Sequence, residues 1–308
     1  MAKIGILAGV AFVASAVPAF AGDLNEYLRE AEEADYSGRQ IVVSVWDGKP
    51  TADILTIEHT GSMLMIEDGN HGSLVGSGKV SAVSQDAGSV MIAGWTRVGY
   101  AARYVTVDPV AVRRLGRAAK SVSILEEDTL RARIVFDLVT GAPLSTEVYL
   151  EDGATLFRFS SMIEFDPLPR RLYRATGIDS GAYDVMVPAP ATGLPREVAG
   201  YRLADSYSVP GDAVQSFYSD GLFRFSLFEV EGYVQDDVFK GARTIEVGGS
   251  KYRVLVTPSQ LWVHWRTTGK SYVLVGDLPP DHLEEVLVGL PRPRSRGFLS
   301  RMWNGVFG

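Results

Sequence analysis

The sequence predicts an α+β protein, mostly β, with a larger amino-terminal curved antiparallel sheet carrying helices and a smaller carboxy-terminal α+β domain. Three observations lead there. Short runs of alternating apolar and polar residues follow one another with turn residues between them, as at Asp68-Gly69-Asn70 and Asp152-Gly153, which is the pattern of hairpin-linked strands. Apolar residues at helical spacing stand near the start of the mature chain and again after the last strand. A proline-rich stretch separates two groups of strands.

Residues 1–21 read as a secretory signal peptide. Lys3 precedes an apolar run from Ile4 to Phe20 that only Ser15 and Pro18 interrupt, and Ala19-Phe20-Ala21 stands before Gly22, so cleavage after Ala21 is expected and with it a periplasmic or extracytoplasmic location. A run of this length is also close to the shortest that spans a bilayer, so an uncleaved anchor is the competing reading. Residues 22–186 form the expected first domain. Leu24, Tyr27, Leu28 and Ala31 recur at three and four residues among Glu26, Glu30, Glu32 and Glu33, which predicts a short amphipathic helix. Strands are expected at residues 40–46, 54–59, 63–66, 90–95, 104–107, 121–125, 131–138, 145–150 and 155–163, while Gly72-Ser73 and Gly76-Ser77-Gly78 read as a loop.

Pro188, Pro190 and Pro195 each lack an amide proton, so residues 187–197 are expected to be an unpaired linker. The second domain, residues 198–291, opens on Phe217-Tyr218-Ser219-Asp220-Gly221-Leu222-Phe223-Arg224-Phe225-Ser226-Leu227-Phe228. Asp220-Gly221 supplies a tight turn, after which Phe223, Phe225 and Leu227 share one face. Strands follow at 244–247, 252–256, 261–266 and 272–275, then a helix carrying Leu283, Val286, Leu287 and Leu290 behind Pro279-Pro280. In residues 292–308, Phe298, Leu299, Met302, Trp303, Val306 and Phe307 would lie on one helical face beside Arg301, with Arg292, Arg294 and Arg296 upstream. Such a tail suits an anionic membrane surface, with Arg294, Arg301, Met302, Trp303 and Phe307 as the contact residues. Docking on the body or disorder is the competing reading, because Gly297, Gly305 and Gly308 weaken the helix.

Composition removes several function classes. With 30 basic and 37 acidic residues the formal charge is −7, and loss of Lys3 with the signal segment makes it −8, which argues against nucleic acid as a partner. No Cys is present, so thiol nucleophiles, thiolate metal sites, a lipoprotein anchor and disulfides are excluded. The four histidines, His59, His71, His264 and His282, show no metal-ligand spacing and read as edge-strand, loop and helix-surface residues. There is no nucleophile elbow, phosphate loop or dinucleotide fingerprint. The acidic pairs Glu126-Glu127 and Asp236-Asp237 read as solvated loop residues, since neighbours on an extended strand point to opposite faces. No cofactor, metal or catalytic residue is expected.

The segment Tyr218-Ser219-Asp220-Gly221-Leu222 resembles a signature of the RseB/MucB family, envelope proteins that regulate transmembrane anti-sigma factors. Tyr36-Ser37-Gly38, Leu115-Gly116-Arg117-Ala118, Asp137-Leu138-Val139-Thr140-Gly141-Ala142-Pro143-Leu144 and Tyr272-Val273-Leu274-Val275-Gly276-Asp277-Leu278-Pro279-Pro280 are similar to further family elements in the same order. The resemblance spans roughly residues 24 to 290. Ala142 departs from it, standing where relatives often have Leu, and the arginine-rich tail lies outside it.

The resemblance implies a first domain like the carriers LolA and LppX, an antiparallel half-barrel with helices. It implies a non-catalytic envelope-stress regulator that binds the extracytoplasmic region of a single-span anti-sigma factor and limits its proteolysis, with release by a lipid-like ligand. Tyr218, Asp220, Gly221, Leu222 and Phe223 are the expected partner-binding residues, against the reading that they are the core hairpin. Leu64, Ile66, Phe136 and Phe159 are the expected lipid cavity, against plain core packing. A lipid or lipoprotein carrier of the LolA/LppX type is the rival function.

Overall fold

The computed structural model describes residues 24–60, 63–68, 72–77, 80–84, 103–168, 187–189, 193–209, 213–232, 234, 239–258 and 260–293, with backbone alone for 63–84, 187–188 and 209. The strand expected at residues 90–95, His71, Asp236-Asp237 and the tail contacts Arg294, Arg301, Met302, Trp303 and Phe307 lie outside the described residues.

The chain opens with helix α1 (Leu24–Glu33), then runs through β1 (Tyr36–Trp46), β2 (Lys49–Thr60), β3 (Met63–Asp68), β4 (Gly72–Ser77), β5 (Val80–Ser84), β6 (Tyr104–Arg114), β7 (Arg117–Glu126), β8 (Thr129–Asp137), β9 (Pro143–Tyr149) and β10 (Leu156–Asp166). These ten strands form one antiparallel sheet in the order β5-β4-β3-β2-β1-β10-β9-β8-β7-β6. Among the described residues the order is an open path, so the sheet they form is not closed into a barrel. β4 corrects the expected Gly/Ser loop: its backbone is paired on both sides, by β3 and β5, and a two-sided ladder holds residues of low strand propensity.

Alternation decides what each face does. On β8, Ala132, Ile134 and Phe136 are buried with Val122 and Ile124 of β7 beneath Leu24 and Tyr27 of α1. Tyr27 stacks on Phe136 at 5.6 Å between centroids, and Lys120 sits over the Tyr27 ring at 4.2 Å. The apolar stripe legible in the helix is therefore the stripe that meets the sheet. The opposite face is the inside of the curve. There Arg133, Glu147, Phe159 and Val43 lie directly opposite one another across β8, β9, β10 and β1. On the same face Arg114 of β6 donates to the hydroxyl of Ser161 on β10, bridging three intervening strands.

Two of the family-like sequence elements form a single clasp at one end of this sheet. Asp137 accepts a bidentate pair from Arg117, at 2.7 and 3.0 Å, and bonds from the amide and hydroxyl of Thr140, both 2.9 Å. The Thr140 hydroxyl in turn accepts from the amide of Ala142, and Ala142 is fully buried. Burial alone would raise the Asp137 pKa, but Arg117 and Thr140 outweigh it and hold the carboxyl below its ordinary value.

The second sheet contains β11 (Val187–Pro188), β12 (Glu197–Val198), β13 (Tyr201–Val209), β14 (Ala213–Ser219), β15 (Arg224–Glu231), β16 (Arg243–Val247), β17 (Ser250–Val256), β18 (Leu261–Arg266) and β19 (Lys270–Gly276), followed by α2 (Pro280–Gly289). Its order is β11-β13-β14-β15-β19-β18-β17-β16, with β12 also on β13. After β15 the chain crosses to the far edge and works back until β19 lies beside β15. Residues 187–197 are thus not free of pairing: Val187 and Pro188 pair with Ser208 and Tyr207, and Glu197 and Val198 with Arg202 and Tyr201. Each is a two-residue edge piece, and Pro is tolerated on an edge because its outward side needs no amide proton. One face of the sheet, with Phe225, Leu227, Leu261, Val263, Trp265 and Leu274, packs against Leu283, Val286 and Leu287 of α2.

The Tyr36-Ser37-Gly38 element has a steric reason. Tyr36 stacks on His59 and Phe165, Ser37 donates to the carbonyl of Leu168 at 2.9 Å, and a Cβ built on Gly38 would stand 2.1 Å from the carbonyl oxygen of Glu164. Backbone cannot yield there as a side-chain tip can. Gly38→Ala is therefore expected to lower stability by at least about 1–3 kcal/mol, the range for overpacking, in urea unfolding, whereas Gly193→Ala, with nothing within 4 Å and no left-handed backbone, should cost less. Equal effects would refute the steric account.

Candidate functional site: the junction of the two sheets

The signature hairpin lies where the sheets meet. β14 and β15 pair up to Ser219 and Arg224, so residues 220–223 form a four-residue loop, not the two-residue turn that Asp-Gly suggests, and Phe223 belongs to the loop. The loop is tied by Asp220, whose Oδ1 accepts from the amides of Leu222 and Phe223 at 3.0 and 2.7 Å. Its own amide donates to the Phe223 carbonyl at 3.1 Å. Gly221 has φ 98°, a conformation that strains any side chain.

The other Asp220 oxygen reaches the first sheet, accepting the Tyr104 hydroxyl at 2.6 Å with the Arg103 guanidinium 3.8 Å away. Phe223 meets Tyr104 edge-on and also the ring of His282, while Leu222 packs against the cores of both sheets. Tyr218 stacks on Phe225 at 4.9 Å and donates to the Pro195 carbonyl at 2.7 Å. Exposure is 0% for Tyr218, 1% for Asp220 and 3% for Phe223. The structure brings the five expected partner residues together at the junction, where Tyr218, Asp220 and Phe223 are buried and Gly221 and Leu222 half-buried, so a partner could reach the buried three only if the sheets part.

Beside the hairpin is a charged cluster. Glu126, at the end of β7, pairs with Arg103, with Arg131 at 2.9 Å and with His282 of α2 at 3.1 Å. Arg131 also pairs with Asp281 and donates to the Tyr149 carbonyl at 3.1 Å. Arg103 donates to the Ala199 carbonyl at 3.0 Å, and His282 Nδ1 lies 2.7 Å from the Tyr201 hydroxyl. Arg131 can turn toward Glu126 because β8 has one extra residue at that point: Leu130 pairs with Leu125 and Ala132 with Ile124, leaving Arg131 out of the ladder.

Burial opposes the charge on Glu126, yet the His282 hydrogen bond and the two arginines overcome it, so its pKa lies below the ordinary value of 4.5. Burial dominates at Asp220 and raises its carboxyl despite the Tyr104 bond. Burial also opposes the charge on Arg103, but Glu126 and Asp220 outweigh it and keep it protonated.

The remaining sequence expectations divide. Phe136 is 1% exposed beneath α1, on the opposite face of the sheet from half-buried Phe159, so these two do not line one cavity; β3 places Leu64 opposite His59 and Ile66 opposite Ile57. His59, His264 and His282 are buried, not surface residues, each packed against an aromatic ring. Among the described residues no group of three or more His, Cys, Asp or Glu could hold a metal. Glu126 is a cluster residue while its neighbour Glu127 is exposed. Arg103, Arg131, Tyr201, Asp281 and His282 escaped sequence reasoning as a cluster, since up to 179 positions separate them and no local spacing marks them.

These two packed antiparallel sheets with a polar junction define a class of two-module β protein. No family model matches the sequence, and no curated protein matches it. Among solved structures, the chain is similar to the crystal structure of MucB, with a TM-score of 0.52, 20% identity, and coverage of 89% of this chain and 98% of that one. A complex of Pseudomonas aeruginosa MucA/MucB (TM-score 0.47, 20% identity, 89% and 100% covered) and a second of MucB with MucA(peri) (0.44, 19%, 89% and 100%) are also similar. The chain has the MucB fold.

Replacing Glu126 by Ala would leave two guanidiniums without their shared anion, which is expected to cost about 3–5 kcal/mol in urea unfolding, while Glu127→Ala should be nearly neutral. The lowered pKa values of Glu126 and Asp137 mean stability present above the unfolded-state value and lost as pH falls through the folded one; raised Asp220 works in the opposite sense, regaining stability on acidification. The urea midpoint should fall below about pH 4.5, and less steeply in Glu126→Gln. An unchanged acid slope in that variant would remove Glu126 from the account.

Proposed function

We propose that this chain is a non-catalytic envelope-stress regulator, exported across the inner membrane, that binds the extracytoplasmic region of a single-span anti-sigma factor and limits its proteolysis. A lipid-like ligand is the releasing signal in this reading. The observation that carries it is the MucB fold extending over both sheets, and MucB itself forms a complex with MucA. The signature segments, which resemble a family that binds anti-sigma factors, support it. So does the junction. Its charged groups are consumed by one another and by backbone carbonyls, an arrangement suited to holding two modules in register and not to turning over a substrate.

The test is protection. The purified extracytoplasmic domain of the anti-sigma factor from the same genome should be cleaved several-fold more slowly by its envelope protease when this protein is in excess, and gel-resolved half-lives would show it. Cleavage at the same rate sinks the proposal. One feature favours the carrier as a second reading: on the inner face of the curve Val105, Val107 and Val110 of β6 are exposed, and a bulge after Val107 keeps all three on one side. Native mass spectrometry separates the two, since a stoichiometric lipid with no capture of the anti-sigma domain favours the carrier.

A further inference from the structure

We propose that one end of the first sheet, built from the β6–β7 turn, the β8–β9 turn and the exit from β10, is a docking surface for an anionic lipid bilayer. Arg117 draws the three pieces together: its guanidinium holds Asp137 and lies 5.1 Å from the centre of the Phe165 ring. The amide of Leu138 donates to the Ala118 carbonyl at 3.1 Å, which fixes the second turn against the first. From this end project Val139, 81% exposed, Leu168 at 70%, Leu138 at 54% and Leu115 at 42%. Soluble surfaces carry single aliphatic residues routinely, but several gathered on projecting turns mark a contact surface.

Charge selects the occupant. Arg113 is exposed and spends one guanidinium nitrogen on the Gly116 carbonyl at 2.9 Å, and Arg114 bonds to the neutral Ser161; among the described residues neither has a carboxylate partner. Several of the nearby acids are occupied. Asp137 is held by Arg117, Glu164 pairs with Arg39 at 3.0 Å, Glu30 pairs with Lys120, and Asp166 accepts the amide of Leu168. Projecting aliphatic side chains beside an exposed guanidinium with no carboxylate partner, that of Arg113, suit the boundary between headgroups and acyl chains. A turn tip meets a plane better than it receives a peptide. The acidic remainder of the molecule, at a chain charge of −7, is repelled by the same surface and would turn this end toward it.

The experiment is co-sedimentation of residues 22–308 with phosphatidylglycerol and with phosphatidylcholine vesicles, where the arginine-rich tail is common to every variant. The wild type is expected to bind the anionic vesicles and to be released at high salt. Val139→Asp combined with Leu115→Asn should weaken binding about tenfold, and Arg113→Gln about fivefold, since an arginine near an anionic surface is worth about that factor. Folding should survive, because Val139 is exposed and Leu115 has φ 53°, which Asn adopts more readily than Leu; Arg113→Gln provides an independent reading if the double variant melts early. Equal binding to neutral vesicles, no loss of binding in either variant, or a wild-type dimer that the double variant dissolves in light scattering would each overturn the proposal.

Discussion

The shared carboxylate of Glu126 is the interaction on which the arrangement of the two sheets depends. Two guanidiniums and an imidazole converge on it from the start of β6, from β8 and from α2. Taking such charges out of water costs several kcal/mol per ion, and that cost is offset only if the leftover donors also find acceptors. Most do: Arg103 reaches Ala199, Arg131 reaches Tyr149 and Asp281, and His282 reaches Tyr201, while Arg131 Nε and Asp281 Oδ1 make no hydrogen bond. Phe223 packs its ring against His282 beside the cluster. A largely satisfied polar cluster of this kind adds little net stability compared with an apolar one of equal volume, but it accepts one geometry, so its contribution is orientation.

Asp220 shows how the signature loop takes part. One oxygen organises the loop itself and the other engages Tyr104. The loop cannot keep both roles if the sheets separate, because the second oxygen would lose its partner while the first kept its two amides. Parting the junction would thus turn a buried hairpin into an exposed one without unfolding it, and would present Leu222 and Phe223 together. Asp220, which burial holds toward its protonated form, would ionise more readily once wetted.

Much of the fold was legible in the residues, and the reason is periodicity. Leu261, Val263 and Trp265 alternate with Trp262, His264 and Arg266, and the structure buries the first three in one core. Leu24, Tyr27 and Leu28 are spaced for a helix and meet the sheet as one. What failed was whatever depends on neighbours far away in sequence. Gly72 to Ser77 carries little strand propensity beyond Leu74 and Val75, yet two flanking strands impose the conformation. Val187 and Pro188 pair because β13 offers an edge, and nothing in the two residues announces it. Asp-Gly at 220–221 advertised a turn correctly but not its length, since the loop is set by amides captured by Asp220. The junction was the least legible part: Glu126 and Glu127 are the same residue type side by side, and only the arrival of Arg131 and His282 from elsewhere separates them.

The sequence elements that carried the family resemblance turn out to be structural fastenings. Gly38 lies against the Glu164 backbone, Arg117 and Asp137 close the clasp at the end of the first sheet, and the 218–222 segment forms the junction loop. None offers a free functional group. A fold held at these points can change what it grips by altering residues that the fastenings merely support, such as Leu115, just before Arg117 on one side of the clasp, and Val139, just after Asp137 on the other. The two ends of the first sheet then do different work, one fixed by charge to the second sheet and the other left apolar and open to the outside. Specificity in such a protein resides in exposed side chains carried on rigid turns, where a substitution changes a contact and leaves the scaffold intact.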